Sequence, residues 1–192
     1  MIIVFDTETN GLPKNWKAPM TEINNWPRVV QLAWAVFNEE GKQVRGQQHI
    51  IRPDGWTIPE DVALIHGVTQ ERAEKEGIPL NAALLLFIAD YVDCHTLVAH
   101  NIDFDYRVVG AELLRTGIKA ARRIEKQICT MHSSTDLCAI PGNYGKYKWP
   151  KLTELHETLF GESFEGAHEA MVDVVACGRC YFELVRRGVI EK

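Results

Sequence analysis

The chain opens Met1-Ile2-Ile3-Val4-Phe5-Asp6-Thr7-Glu8-Thr9-Asn10-Gly11, an apolar run that leads into two carboxylates one residue apart. Strand side chains alternate between faces, so Asp6 and Glu8 project from the same side. Two like charges about 4 Å apart cost roughly 4 kcal/mol at an effective dielectric near 20. A strand carrying both calls for a cation beside them. Four other segments bear residues able to do chemistry: Gly11-Leu12-Pro13, Ile65-His66-Gly67-Val68-Thr69, His100-Asn101-Ile102-Asp103-Phe104-Asp105 and His168-Glu169-Ala170-Met171-Val172-Asp173.

Those residues need elements to hold them. Residues 1–5 read as a buried strand, Val29–Phe37 as a second apolar strand, and His49–Arg52 as the close of a third. The polar turn Asn38-Glu39-Glu40-Gly41-Lys42 joins the second and third, so the three form an antiparallel meander. Leu80–Val92 has helical apolar spacing, Thr96–Ala99 is a short buried strand, and Phe104–Thr116 reads as an amphipathic helix ending at Gly117. Gln127–Met131 is a candidate fifth strand, Ala139–Pro150 a loop, and Lys151–Phe160 and Ala167–Arg187 the last helices. The segment at His66 follows the third strand, the one at His100 follows the fourth, and His168 opens the last helix. Three strands followed by alternating strands and helices imply an α/β fold, a mixed five-stranded sheet with helices on its faces.

At 192 residues the chain is of a size for one well-filled core, and residues 1–192 are expected to form a single domain. No apolar stretch approaches a membrane span, and the N-terminus reads as a core strand rather than a signal peptide. A net charge of −5 argues against a protein that coats nucleic acid by charge alone. It does not argue against an enzyme that meets phosphates through divalent ions, which bring their own positive charge. The five cysteines, an odd number, read as reduced thiols of a cytoplasmic protein. Cys177-Gly178-Arg179-Cys180 is a lone C-x-x-C inside a helix and reads as ordinary packing rather than a zinc or redox site.

Taken together and in order, Asp6-x-Glu8, His100-Asn101-x-x-Phe104-Asp105 and His168-x-Ala170-x-x-Asp173 resemble the three motifs of the DEDDh exonucleases, the DnaQ-like family that includes the epsilon proofreading subunit of bacterial DNA polymerase III. The resemblance spans positions 6–173. It implies a ribonuclease H-like fold and removal of nucleotides from single-stranded 3′ ends. It implies Asp6, Glu8, Asp105 and Asp173 as metal-binding acids and His168 as general base. Glu169 stands where the tyrosine branch of the family would place its base, so the histidine branch fits. The resemblance further implies substrate contacts at Thr7, Thr9, Gly11, Leu12, His66, Asn101 and Phe104. The residues agree with this chemistry. Hard ions prefer carboxylates, so four acids without a matched Cys/His pair indicate two Mg²⁺ or Mn²⁺ ions, able to serve both oxygens of a phosphodiester displacement. A neutral imidazole can take a proton from a metal-bound water.

Several positions carry two readings. Asp105 is preferred over Asp103, which reads as a helix cap. His100 reads as structural. Asn101 either holds a turn or lines the pocket, His66 either contacts substrate or serves a turn, and Gly11-Leu12 either approaches a nucleotide closely, Leu12 wedging against a terminal base, or forms an ordinary turn. Trp16, Trp26, Tyr144, Tyr147 and Trp149 lie in loops with Lys14, Lys17, Lys146, Lys148 and Lys151, a combination suited to stacking bases and neutralising a strand. Trp26 reads instead as a cover for the core, and Arg122-Arg123 as solvated surface. The chain ends at Lys192 without the C-terminal tail by which epsilon docks to its polymerase, so a DNA polymerase partner and a free-standing enzyme both stay open. DNA proofreading, DNA trimming and RNA end-processing fit the same motifs, and a non-catalytic nucleic-acid-binding module is the alternative from another class.

Overall fold

Strand β1 runs from Ile2 to Thr9, four residues past its apolar stretch. A computed structural model describes residues 1–120 and 123–191; Arg122 and Lys192 lie outside them. β2 (Val29–Phe37) pairs antiparallel with β1, and β3 (Gln43–Ile50) pairs antiparallel with β2, in the expected meander. β4 (Thr96–Ala99) and β5 (Lys126–Cys129) add parallel to the other edge, giving one sheet in the order β3-β2-β1-β4-β5.

Both faces of this sheet are covered. On one, Ile3 and Phe5 of β1 join Leu32, Trp34 and Val36 of β2 beneath α3 (Leu80–Tyr91) and α4 (Ile102–Thr116). On the other, Ile2 and Val4 join Ala33, Ala35 and Phe37 beneath α7 (Leu152–Phe160) and α8 (Ala170–Arg186). All nine residues of β2 are buried, which is why it is apolar throughout rather than alternating. Helix α8 sits so close that a Cβ added at Gly178 would meet the Phe37 ring at 2.8 Å. Cys177 and Cys180 face this core, and burial pushes the Cys180 thiol up to about 12.

Three expectations need correction. The third strand covers 43–50 rather than closing at Arg52, because it is a mostly polar edge strand whose pairing, not hydrophobicity, defines it. His66 does not simply follow a strand: it ends a helix, α1 (Glu60–His66), which is followed by α2 (Gln70–Glu76). His168 precedes the last helix by two residues instead of opening it. Two single turns, α5 (Thr130–Ser133) and α6 (Thr135–Cys138), fill the stretch after β5. No helix among the described residues is long and apolar enough to cross a membrane.

Candidate active site

The site forms where β1 outruns its parallel neighbour. β4 pairs with β1 only as far as Val4↔Val98, so beyond that point the β4-side edge of β1 has no strand partner. Crevices of this kind, at the carboxyl ends of strands in an α/β sheet, are where such folds bind ligands. Alternation assigns the side chains. Asp6 and Glu8 continue the Ile2–Val4 face toward α8, and Thr7 continues the Ile3–Phe5 face toward α4.

Asp105 enters from α4. After β4 the chain turns at Asn101, whose φ of 74° and ψ of 48° are left-handed, a conformation asparagine tolerates better than most residues. That turn starts the helix and brings Asp105, in its first turn, into the open edge of β1. The Thr7 amide donates to Asp105 Oδ1 at 3.0 Å and the Thr7 hydroxyl donates to the same oxygen at 2.6 Å. An otherwise orphaned strand N–H thereby holds a carboxylate in place. Asp103 is exposed on the same turn, and Asn101 rather than Asp103 occupies the N-cap position.

Asp173 enters from α8. Gln48 of β3 accepts a hydrogen bond from the Met171 amide at 2.9 Å, satisfying one of the helix's unpaired N–H groups. The His168 amide donates to Asp173 Oδ2 at 2.9 Å. His168 is exposed and held at φ 73°, a left-handed backbone that histidine seldom adopts. Ligating atoms of Glu8, His168 and Asp173 lie within 4.8 Å of one another.

Electrostatics shows that the four acids share one space. Burial raises Asp6 well above the ordinary carboxylate range, and the charges of Asp105, Glu8 and Asp173 raise it further. Glu8 is pushed up to about 8, first by burial and then by Asp173 and Asp105. Asp105 rises to about 7 by burial, opposed by the Thr7 hydrogen bonds. Burial also raises Asp173, opposed by the His168 amide. The N-termini of α4 and α8 carry Asp105 and Asp173 in their first turns, where the helix dipoles favour negative charge. That favour is too small to offset several like charges at close range, so the cluster is the kind of oxygen-rich, electronegative pocket that hard divalent cations occupy.

The remaining predicted residues divide. Leu12 is 72% exposed, and Gly11, at φ 155°, has open space where a side chain would stand. Thr7 is buried and engaged with Asp105, and the Thr9 hydroxyl donates to the Gly11 carbonyl at 2.7 Å; both hold the site's shape instead of presenting a free group. Phe104 is half-buried against Trp16, their ring centroids 5.6 Å apart. His66 is buried at the end of α1, where Nδ1 accepts from the Val68 amide at 3.1 Å and Nε2 is buried without a hydrogen-bond partner among the described residues. Burial lowers its pKa, partly offset by the nearby Thr9 backbone. This geometry favours the turn role over substrate contact. His100 is structural as expected: Nε2–H donates to the Pro150 carbonyl at 3.0 Å and Nδ1 meets the Thr130 hydroxyl at 3.0 Å. Burial holds it down to about 4. Gln48 was not anticipated; a lone glutamine in a polar edge strand gives no sign that it will meet a helix end 123 residues away.

A family model described as Exonuclease (RNase_T) matches residues 3–181. No curated protein sequence matches the chain. Among solved structures, E. coli exonuclease I in complex with a dT13 oligonucleotide aligns with a TM-score of 0.75 over 96% of this chain and 40% of that one, at 18% identity. A moderately thermophilic exonuclease I from Methylocaldum szegediense aligns at 0.73 over 97% of this chain and 40% of that one, at 19% identity. A product-bound exonuclease I aligns at 0.77, with 98% and 44% coverage and 16% identity. The chain thus spans less than half the length of these neighbours, and the likeness is one of fold.

Proposed function

The chain belongs to the RNase_T exonuclease family, and from that membership we propose that it removes nucleotides from the 3′ end of single-stranded DNA by metal-dependent hydrolysis. The observation that carries this reading is the convergence of Asp6, Glu8, Asp105 and Asp173, from three separate elements, on one cluster, where Glu8, Asp105 and Asp173 raise the proton affinity of Asp6, and Asp105 and Asp173 that of Glu8. Single-stranded DNA is favoured over RNA because the exonuclease I neighbours include complexes with dT13 and dA13 oligonucleotides.

The roles follow from the geometry. The four carboxylates would hold two Mg²⁺ or Mn²⁺ ions. Such ions, when bound, neutralise the phosphate and lower the pKa of an attacking water. Zinc appears with one exonuclease I–DNA complex, but an all-carboxylate set suits harder ions better. His168 stands beside Glu8 and Asp173, so its ring can accept a proton from water held at that side of the pocket. The amide of the same residue restrains Asp173, which couples the base to the acid wall. Thr7 holds Asp105 by Oδ1, which would leave its second oxygen for an ion. Leu12, exposed four residues beyond Glu8, would pack against the terminal base.

The test is a comparison of matched DNA and RNA oligomers labelled at the 5′ end, with Mg²⁺ and with EDTA. A ladder that shortens on DNA, and stops in EDTA, is expected. Shortening on RNA alone would replace the substrate; release from circular DNA would replace exonuclease by endonuclease; no release with any divalent metal would leave a binding module.

A further inference from the structure

The loop between α6 and α7 is a formed object. Gly142 N–H donates to the Lys146 carbonyl at 2.9 Å, Lys148 N–H to the Ile140 carbonyl at 2.9 Å, and Pro141 bridges Tyr147 in antiparallel register. At its tip, Lys146 N–H donates to the Asn143 carbonyl at 3.2 Å. Tyr144 and Gly145 there both have positive φ, 58° and 71°. Turns of that kind normally take Asn, Asp or Gly, and a bulky residue with left-handed backbone is out of place in them. Here the chain presents a tyrosine that is 100% exposed. Tyr147 and Trp149 are also exposed, and Trp149 packs its ring against His132 of α5 at 4.9 Å.

Charge and position give this loop a direction. Residues 139–151 contain Lys146, Lys148 and Lys151 and no acid, in a chain of net charge −5. Lys148 pairs with Glu154 at 2.6 Å, whereas Lys146 forms no ion pair among the described residues. The base of the loop is tied to the catalytic end of the sheet. The Pro150 carbonyl receives the His100 ring directly after β4, and His132 follows β5 by three residues. Trp149 therefore stands at the same carboxyl ends of strands as the acids. It lies on the β5 side, two strand spacings from β1, about 10 Å.

We infer that residues 140–149 are a stacking platform for single-stranded DNA, holding nucleotides upstream of the terminal one while the acid pocket holds the 3′ end. Exposed aromatic rings beside unpaired lysines are the means by which single strands are bound without regard to sequence. This inference rests on the exonuclease reading, and its test separates the two. Binding of 5′-fluorescein dT4 and dT12 to the whole chain is measured by anisotropy in EDTA, and nucleotide release from both is measured in Mg²⁺.

The expected result is that dT12 binds at least about tenfold more tightly than dT4, the gain of stacking additional bases. Tyr144→Ala with Tyr147→Ala and Trp149→Ala should remove that gain and leave dT4 unchanged. Tyr144→Ala alone, at a position without packing to lose, should lower dT12 affinity by about threefold or more. Lys146→Ala should reduce the slope of log affinity against log salt by about 0.7. An unchanged dT12 affinity in Tyr144→Ala and in the triple variant overturns the platform. So does an equal loss on dT4 and dT12, or a loss seen with rU12 and not with dT12. A wild type that binds dT12 through the loop but releases no nucleotide sinks the exonuclease reading and leaves the platform standing. Trimming without length preference does the reverse.

Discussion

Loops 13–28 and 139–151 share a composition of lysines, tryptophan and two or more prolines, yet the fold treats them in opposite ways. The first is fastened down along α4. Arg107 donates to the Trp16 carbonyl at 2.8 Å and its guanidinium lies over the Trp26 ring. Arg115 donates to the carbonyls of Ile23, Trp26 and Pro27. Glu112, fully buried, joins Arg115 to Arg28 at the end of the loop. Trp26 is only 3% exposed and its indole N–H donates to the Pro19 carbonyl. The second loop is closed by its own backbone bonds and leaves Trp149 63% exposed. Trp26 is thus core cover, whereas Trp16 of the same loop is 51% exposed and Trp149 of the other 63%. What separates the loops is whether a neighbouring helix offers arginines to the loop's carbonyls.

The contrast between these loops has meaning only if chemistry happens at the acid cluster. The largest expected effect is Asp6→Ala with Glu8→Ala, which should abolish nucleotide release while leaving circular dichroism native and the metal-free protein more stable, since crowded like charges are relieved. Next is His168→Ala, which should slow release by about 10²–10⁴ with the Mg²⁺ requirement unmoved. A Mg²⁺ midpoint displaced by a similar factor would make His168 a ligand rather than a base.

The contrast itself is sharpened by stability. Arg115→Ala removes the carbonyl contacts of the first loop and one partner of buried Glu112. Urea unfolding should show a loss of about 3 kcal/mol, the low end for breaking a buried ion pair because Arg28 still faces the acid. Tyr144→Ala should stay within about 0.5 kcal/mol of wild type. Equal losses would erase the distinction between a fastened loop and a presented one.

The last test is of pH. Glu8 and Asp105 titrate higher folded, at about 8 and about 7, than unfolded, near 4. Between those values the native state holds more protons than the unfolded state, so metal-free stability should be fullest near pH 4 and decline as pH rises to about 8. Saturating Mg²⁺ should flatten or invert that decline, because the bound cation favours the ionised acids. A metal-free stability that climbs from pH 5 to 8 would mean the acids do not crowd one another.

Much of this organisation is legible in the chain, and the failures have physical causes. β2 and β4 fall on their apolar runs because both are buried on two faces. Glu60–His66 and Gln70–Glu76 escape notice as helices because each buries so little: α2 covers only Ala73, and α1 leaves Leu64 and Ile65 exposed. Their ends are set by Gly67 in a left-handed turn and by Thr69 accepting the Arg72 amide. β3 is recognisable only from its register with β2, since an edge strand with polar side chains has no hydrophobic signature.

For the site, the strand's two-residue period puts Asp6 and Glu8 on one face, and it was the resemblance of the ordered motifs to a known family that singled out Asp105, His168 and Asp173 as candidates beside them. Long-range contacts decided the rest. Thr7 bonds Asp105, Thr9 bonds the Gly11 carbonyl, His66 turns inward, Gln48 caps the helix that delivers Asp173, and one aromatic loop is fastened while the other is presented. Those outcomes depend on which donors and acceptors meet across the fold, and hydrogen-bond partners brought together over tens of residues leave no mark in local sequence.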